Sequence, residues 1–280
     1  MSGEVFYMNK IYISADIEGI WGNTNPSETR MGAPLYEEYR TNMIDEVNLV
    51  ISYLFEQGVK EVVVNDGHGN MDNLLPSRLD PRASFISSNG AYKEYGMMEG
   101  LDASFDGVCL IGYHARSNTL GVIAHTIWGS IISKISVNGQ VLGETGINAH
   151  LAHSYGVPVI LVAGDQCLKK QASVELMENF EFVQTKEAIN YECALCCSKN
   201  TLCARYEEAI GSALNKEYKV SKEASYFVDI EFHYIRHADF VSRMPGVERI
   251  NEVTIRISGE DYIALYRLMR FIIKVSNAFE

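Results

Sequence analysis

Apolar runs rich in β-branched residues recur between Lys10 and Asp165: "KIYISAD", "EVVVND", "GVCLIGY" and "PVILVAGD". Each is short, and each ends in a polar or turn residue. Such runs read as buried parallel strands. The segment after the first, "PLYEEYRTNMIDEVNLVISYLFEQG", keeps apolar residues three to four apart at Tyr39, Met43, Val47, Val50 and Leu54. That spacing predicts an amphipathic helix. Pro34 stands near its start and Gly58 beyond its end, the expected polarity. "ASFISS" predicts another strand, and "SKISVNGQVLG" a hairpin turning at Asn138-Gly139. "TGINAHLAHSYG" predicts a helix, and a further helix follows from about Gln166. Strands alternating with helices predict an α/β fold, a largely parallel central sheet flanked by helices.

The later part changes texture. "CARYEEAIGSALNK" and "GEDYIALYRLMRFIIKVSNAF" read as helices, and "SYFVDIEFH" and "RINEVTIRIS" as alternating strands. A smaller C-terminal α/β subdomain is therefore expected. Residues 1–190 would form the catalytic unit and 191–280 the part packed on it, with the break somewhere in 190–220.

Composition narrows the function. The chain is 280 residues long, 47% hydrophobic, and carries a net charge of -12. Binding nucleic acid by charge attraction is disfavoured. No apolar window approaches the roughly 20 residues of a membrane span. The start, "MSGEVFYMNKIYIS", lacks a basic n-region and a long h-region, so a cytoplasmic location is expected. Met8 is a candidate natural start, with the first seven residues an extension. The cysteines of "ECALCCSKNTLC", Cys193 to Cys197 and Cys203, include a C-x-x-C. They lack the second pair or nearby histidines of a structural zinc site, so ordinary thiols are favoured over metal or redox roles.

Ligands of open α/β sheets sit at the carboxyl ends of strands. The first strand ends in "ADIEG", which places Asp16 and Glu18 on one side and close together. A metal ion between them and a water-facing loop are both open readings. "EVVVND" leads into "GHG", with His68 near Asp66. "GVCLIGY" leads into "HAR", with His114. The hairpin leads into Glu144, just before a helix. Alone, each has an ordinary explanation: a loop or core histidine, or an acid favoured by a helix N-terminus. Their coincidence at successive strand ends points to a metal. Mixed histidine and carboxylate donors suit zinc, with manganese, cobalt or iron possible. Five ligands exceed the usual complement of one zinc ion and fit two metals per chain sharing a carboxylate, with Asp16 the expected bridge.

At these residues the sequence resembles the D-aminopeptidases of the DppA type, the zinc-dependent M55 peptidase family. The shared motifs run in order through "SADIEG", "VNDGHGNMDNL", "GYHARSNTLGVIAH" and "GETGINAHLAHSYGVPVILVAGD", with a "MPG" near Met244 later. The resemblance places metal ligands on Asp16, Glu18, His68, His114 and Glu144, and the catalytic histidine on His125. It implies removal of N-terminal D-residues, small ones such as D-Ala favoured, from short peptides or amides through a dinuclear zinc site. It also implies a ring-shaped homo-oligomer, a decamer in the family, with active sites facing an inner chamber. Another amidohydrolase or L-peptide hydrolase on the same scaffold is the alternative, and a non-catalytic binding ring a further one. His125 is expected to act as general acid or base rather than as the nucleophile. Asp66 and Arg116 are expected to orient His68 and His114, and Asn148 to reach substrate. His150 and His153 lie three apart on a predicted helix, where a surface pair is favoured over a metal site; His233 and His237 are unassigned. The glycines around His68 and the "IWGSI" after His125, with Trp128, depart from the family pattern and predict a reshaped pocket.

Overall fold

A computed structural model describes residues 8–176 and 179–278. The proposed extension, residues 1–7, lies outside the described residues. The first sheet contains β1 (Lys10–Ala15), β2 (Glu61–Asp66), β3 (Ser84–Ile86), β4 (Gly107–Ile111), β7 (Val159–Asp165), β8 (Glu181–Asn190) and β9 (Cys193–Cys196). Their order is β3-β2-β1-β4-β7-β8-β9. All neighbours are parallel except the β8–β9 hairpin. The second sheet is antiparallel, β11-β12-β10-β5-β6, from β5 (Ile132–Val137), β6 (Gln140–Leu142), β10 (Tyr226–Phe232), β11 (Glu248–Arg249) and β12 (Thr254–Gly259).

The strand runs are continuous in apolar residues because both faces of the first sheet are covered. Ile11, Ile13, Cys109 and Ile111 face a core shared with α1 (Tyr36–Glu56) and α4 (Lys199–Leu214). Tyr12, Val108 and Leu110 alternate onto the other face. There they join α2 (Glu144–Ser154), α3 (Gln166–Glu175), α6 (Tyr262–Asn277) and the inner face of the second sheet. The hairpin turns at Asn138 and Gly139, both with positive φ (50° and 81°), the conformation its Asn-Gly sequence favours.

The two sheets interleave along the chain. Strands β5 and β6 leave the first half for the second sheet, while β9 and α4 remain with the first. The break expected after residue 190 thus falls inside the β8–β9 hairpin. "RINEVTIRIS" is not one strand: only Glu248–Arg249 and Thr254–Gly259 pair. Strand β8, and α5 (Ile235–Val241), have no counterpart in the sequence reading. Among the described residues no helix is long and apolar enough to cross a membrane.

Register sets the position of the site. Ala15 pairs with Asp66 on β2 and with Ile111 on β4, so three strands end level. From β1 the chain moves outward through β2 to β3, then returns to β4 on the other side of β1. This reversal opens the crevice in which α/β sheets bind ligands.

Candidate metal centre

The "DIEGIWG" turn carries Asp16 and Glu18 over the end of β4. Gly19 N–H donates to the Gly112 carbonyl at 2.7 Å, and Asp16 N–H to that of Ile111 at 2.8 Å. The crossing is so close that a Cβ on Gly19 would stand 1.9 Å from the Tyr113 oxygen, and one on Gly112 would stand 2.1 Å from that of Asp16. Glycine at both positions lets the Asp16 and His114 loops touch.

Asp16 lies between two histidines. One carboxylate oxygen is 3.2 Å from His68 Nδ1, and the other is 3.5 Å from His114 Nε2. Glu18 approaches His68 Nδ1 at 3.1 Å, and Glu144 approaches His114 Nε2 at 3.5 Å. Asp16, Glu18, His114 and Glu144 are buried, and His68 nearly so. The far side of each ring is already used: His68 Nε2 meets the Thr29 carbonyl and His114 Nδ1 that of Ala115, both at 2.9 Å. Each contact assigns the ring proton to the outer nitrogen, so in the neutral rings Nδ1 of His68 and Nε2 of His114 turn lone pairs toward carboxylates. Lone pair facing lone pair is repulsive unless a cation lies between. Glu18 Oε2 and His114 Nε2 are correspondingly buried without a hydrogen-bond partner. The donor set fits zinc.

Burial and pairing oppose each other at these groups. Burial alone would raise the Asp16 pKa, but hydrogen bonding to His114 and His68 holds it well below the usual range. Burial alone would lower the pKa values of His68 and His114. Their carboxylate neighbours, Glu18 and Glu144 foremost, instead push both well up. Glu144 is opposed by burial yet lowered by His114.

His125 stacks on His114, ring centroids 4.1 Å apart and planes 9° from parallel. Its Nδ1 meets the Ile123 carbonyl at 2.9 Å, which leaves Nε2 to accept. Potential ligand atoms form two groups of mutual reach: Asp16, Glu18 and His68; and His114, His125 and Glu144. The backbone around His125 is strained, a feature with no sequence signal. Ile123 (φ 52°) and Ile127 (φ 55°) occupy the left-handed region that β-branched residues avoid. Glu144 helps hold this shape by accepting the Ile127 N–H at 2.6 Å.

The supporting residues divide. Asp66 accepts N–H groups from His68, Asn73 and Leu74, so it shapes the His68 loop rather than holding the ring. Burial raises its pKa despite those bonds. The Arg116 N–H donates to Gln171, whereas the His114 ring is held by the Ala115 carbonyl. Asn148 is buried in a network with Tyr113 and Tyr266 and stands apart from the cavity walls. His150 binds the Gly146 carbonyl and packs near Tyr226 and Tyr262, away from both groups. His233 lines the cavity, and His237 stacks on Phe232. Cys193–Cys196 form the edge strand β9, and Cys197 Sγ lies 3.9 Å from the Thr185 carbonyl. Sequence reading missed Lys186, whose ammonium donates to the carbonyls of Glu18, Ile20 and Asn23. It also missed Lys93, bound to Asn65 and to the Asp66 carbonyl.

Asp16, Glu18, His68, His125 and Glu144 open into one cavity of about 990 Å³, lined also by Trp128, Asn70, Tyr191 and Arg270. A family profile for D-aminopeptidases, peptidase M55, matches residues 9–271. A D-aminopeptidase of Bacillus subtilis (strain 168) is 35% identical over 265 residues, covering 93% of this chain and 95% of its own. A solved Zn-dependent D-aminopeptidase from Bacillus subtilis, described as a self-compartmentalizing protease, matches with a TM-score of 0.90 and 32% identity. That match covers 95% of this chain and 97% of the other.

Proposed function

The chain belongs to the peptidase M55 family of zinc-dependent D-aminopeptidases, and from that premise we propose that its catalytic centre is dinuclear, with Asp16 as the bridge. The carrying observation is that the two oxygens of Asp16 face different histidines. One metal would take Glu18 and His68, and the other His114 and Glu144. Bound zinc polarises a scissile carbonyl and lowers the pKa of a coordinated water.

The chain's own groups supply the rest. His125, with Nε2 as its accepting nitrogen, exchanges a proton with the reacting groups as general base and then acid. Its inclusion among the mutually reaching atoms of the second group also favours a reading as a ligand. The stacking argues against that reading. Two nearly parallel rings do not aim in-plane lone pairs at one ion about 2 Å from each nitrogen. The cavity volume suits a short peptide, and the half-exposed Trp128 narrows it beside His125. N-terminal D-residues with small side chains such as D-Ala are the proposed substrates.

A ring-shaped homo-oligomer, a decamer on the family pattern, is part of the proposal, because an open peptidase site would endanger other proteins. So is a cytoplasmic location, supported by six free cysteines. Elemental analysis of protein purified without chelator tests the centre. Two zinc ions per chain are expected, and about one in His68→Ala. One zinc per native chain would sink the dinuclear assignment.

A further inference from the structure

The cavity also carries charge of the opposite sign. Helix α6 turns an otherwise apolar stripe inward, with Tyr266, Met269 and Ile273 buried. Arg270 interrupts that stripe and is only 9% exposed. Arginine so deeply buried is ordinarily paired. Here no hydrogen bond or ion pair reaches it among the described residues, and Nε is buried without a partner. The contrast with its neighbours is chemical. Arg267, one turn earlier, pairs with Glu94. Lys274, one turn later, donates to the carbonyls of Gly90, Ala91 and Lys93. Only Arg270 keeps its donors uncommitted. Its guanidinium lies against Gly96, where a Cβ would stand 2.4 Å from Nη2, so the backbone leaves it room.

Arg270 and Lys274 line the same cavity as Asp16, Glu18, His68 and Glu144. The carboxylates and histidine of the candidate metal centre thus share one cavity with two cations. We propose that Arg270 is a specificity-determining residue that binds the C-terminal carboxylate of a short peptide whose amino end lies at the metal centre. The inference rests on the peptidase reading and deepens it. A planar guanidinium donates two parallel hydrogen bonds to a carboxylate, a geometry that a neutral amide does not match. The chain thereby becomes selective for complete short peptides over internal stretches of longer ones.

The test compares D-alanyl-D-alanine with its C-terminal amide on zinc-loaded, full-length protein. The native enzyme is expected to favour the free acid, in KM more than in kcat. Arg270→Gln should lower the acid-over-amide ratio of kcat/KM by about 10- to 100-fold. Arg270→Lys, which keeps charge but loses the fork, should fall between. Calorimetry with the isostere in which CH2–NH replaces the peptide bond, as acid and as amide, reads the same preference without turnover. Equal binding of the two isosteres by the native protein overturns the proposal, and so does an Arg270→Gln variant that loses both equally. Acid-selective binding without turnover of either peptide upholds the carboxylate site and counts against the peptidase reading instead.

Discussion

The loops that carry Asp16, Glu18 and His68 are fastened by buried side chains, whereas the segment that carries His125 is bent against its own backbone preference. In the first region Lys186 draws together three carbonyls of residues 18–23, and Glu46 accepts the Trp21 N–H at 2.9 Å. Asp66 and Lys93 do the same for the His68 loop. Its one non-glycine residue with positive φ is Met71, unbranched at Cβ. In the second region Asn118, Ile123 and Ile127 all have positive φ. That segment is held from outside, by the Tyr191 carbonyl on Ile123 N–H, Asp165 on Val122 N–H and Glu144 on Ile127 N–H. The difference teaches how the two jobs are met. Metal ligands, the role proposed for Asp16, Glu18 and His68, need fixed positions, which satisfied polar networks give. His125 is stacked beside His114, and an unusual backbone path gives that placement at a cost in strain.

The comparison breaks most violently at Lys186. Lys186→Met keeps much of the side-chain volume but leaves the carbonyls of Glu18, Ile20 and Asn23 without their donor. A loss of about 3–5 kcal/mol of stability is expected, at roughly 1–3 kcal/mol for each unsatisfied buried group with partial relaxation. Zinc content should fall with it, because the loop that positions Glu18 loosens. Chemical denaturation and elemental analysis read the two effects. A variant with native stability and full zinc would remove Lys186 from the fastening.

His125→Ala sharpens the comparison from the other side. It removes the ring proposed as general acid and base from the strained segment, and zinc should stay while kcat falls by about 100-fold or more. KM should move less, since the lost interaction belongs mainly to the transition state. Loss of zinc would make His125 a ligand, and a full rate would make it a core histidine. A covalent adduct on His125 after rapid quench, seen by mass spectrometry, would restore the nucleophile role.

Much of this arrangement was legible in the sequence, and the exceptions share a cause. The strand runs and the spacing from Tyr39 to Leu54 report burial directly, so the layers of the first sheet could be read. The residues now grouped around Asp16 were legible because α/β topology gathers strand ends. Strand β8 was not, because Lys186 in its middle looks like a surface residue until its three carbonyl partners are known. Arg270 was hidden in the same way, as a charge on a helix that reads as amphipathic. The strain at Ile123 and Ile127 left no trace, since isoleucine in sequence signals extended chain. Local pattern reports what a residue prefers. These positions are set by partners far along the chain that override the preference.

A pH titration probes the outer support of the second region. Glu175 accepts the N–H groups of Gly143 and Gly146 at the start of α2, and so holds the turn that presents Glu144. Burial nevertheless raises its pKa to about 7. A carboxyl raised on folding binds its proton more tightly in the folded state. Its contribution is therefore fully present below the unfolded value near 4.5 and is lost as pH rises through about 7. Stability should decline by on the order of 3 kcal/mol across that window from this group. Glu175→Gln should flatten that part of the profile while leaving the first region's share, from Glu46, also raised to about 7. An unchanged slope in Glu175→Gln would show that its folded value is not raised.

The smallest effect is the most pointed. Ile127→Gly places the residue that favours left-handed φ where isoleucine now holds 55°. Relief of strain contributes about 1 kcal/mol or more. The greater entropy of glycine in the unfolded chain costs a similar amount, and the side chain is only partly buried. Net stability should therefore change by less than about 1 kcal/mol. Activity should change more. Without the branched side chain the segment can leave the path that puts His125 against His114, and kcat should fall several-fold at constant zinc content. If thermal denaturation showed a clear loss of stability, Ile127 would be acting through packing. If stability rose and kcat held, the bent path would not be what positions His125. A modest fall in kcat with stability level or slightly higher is the outcome that ties the strain at this residue to the placement of the His125 ring.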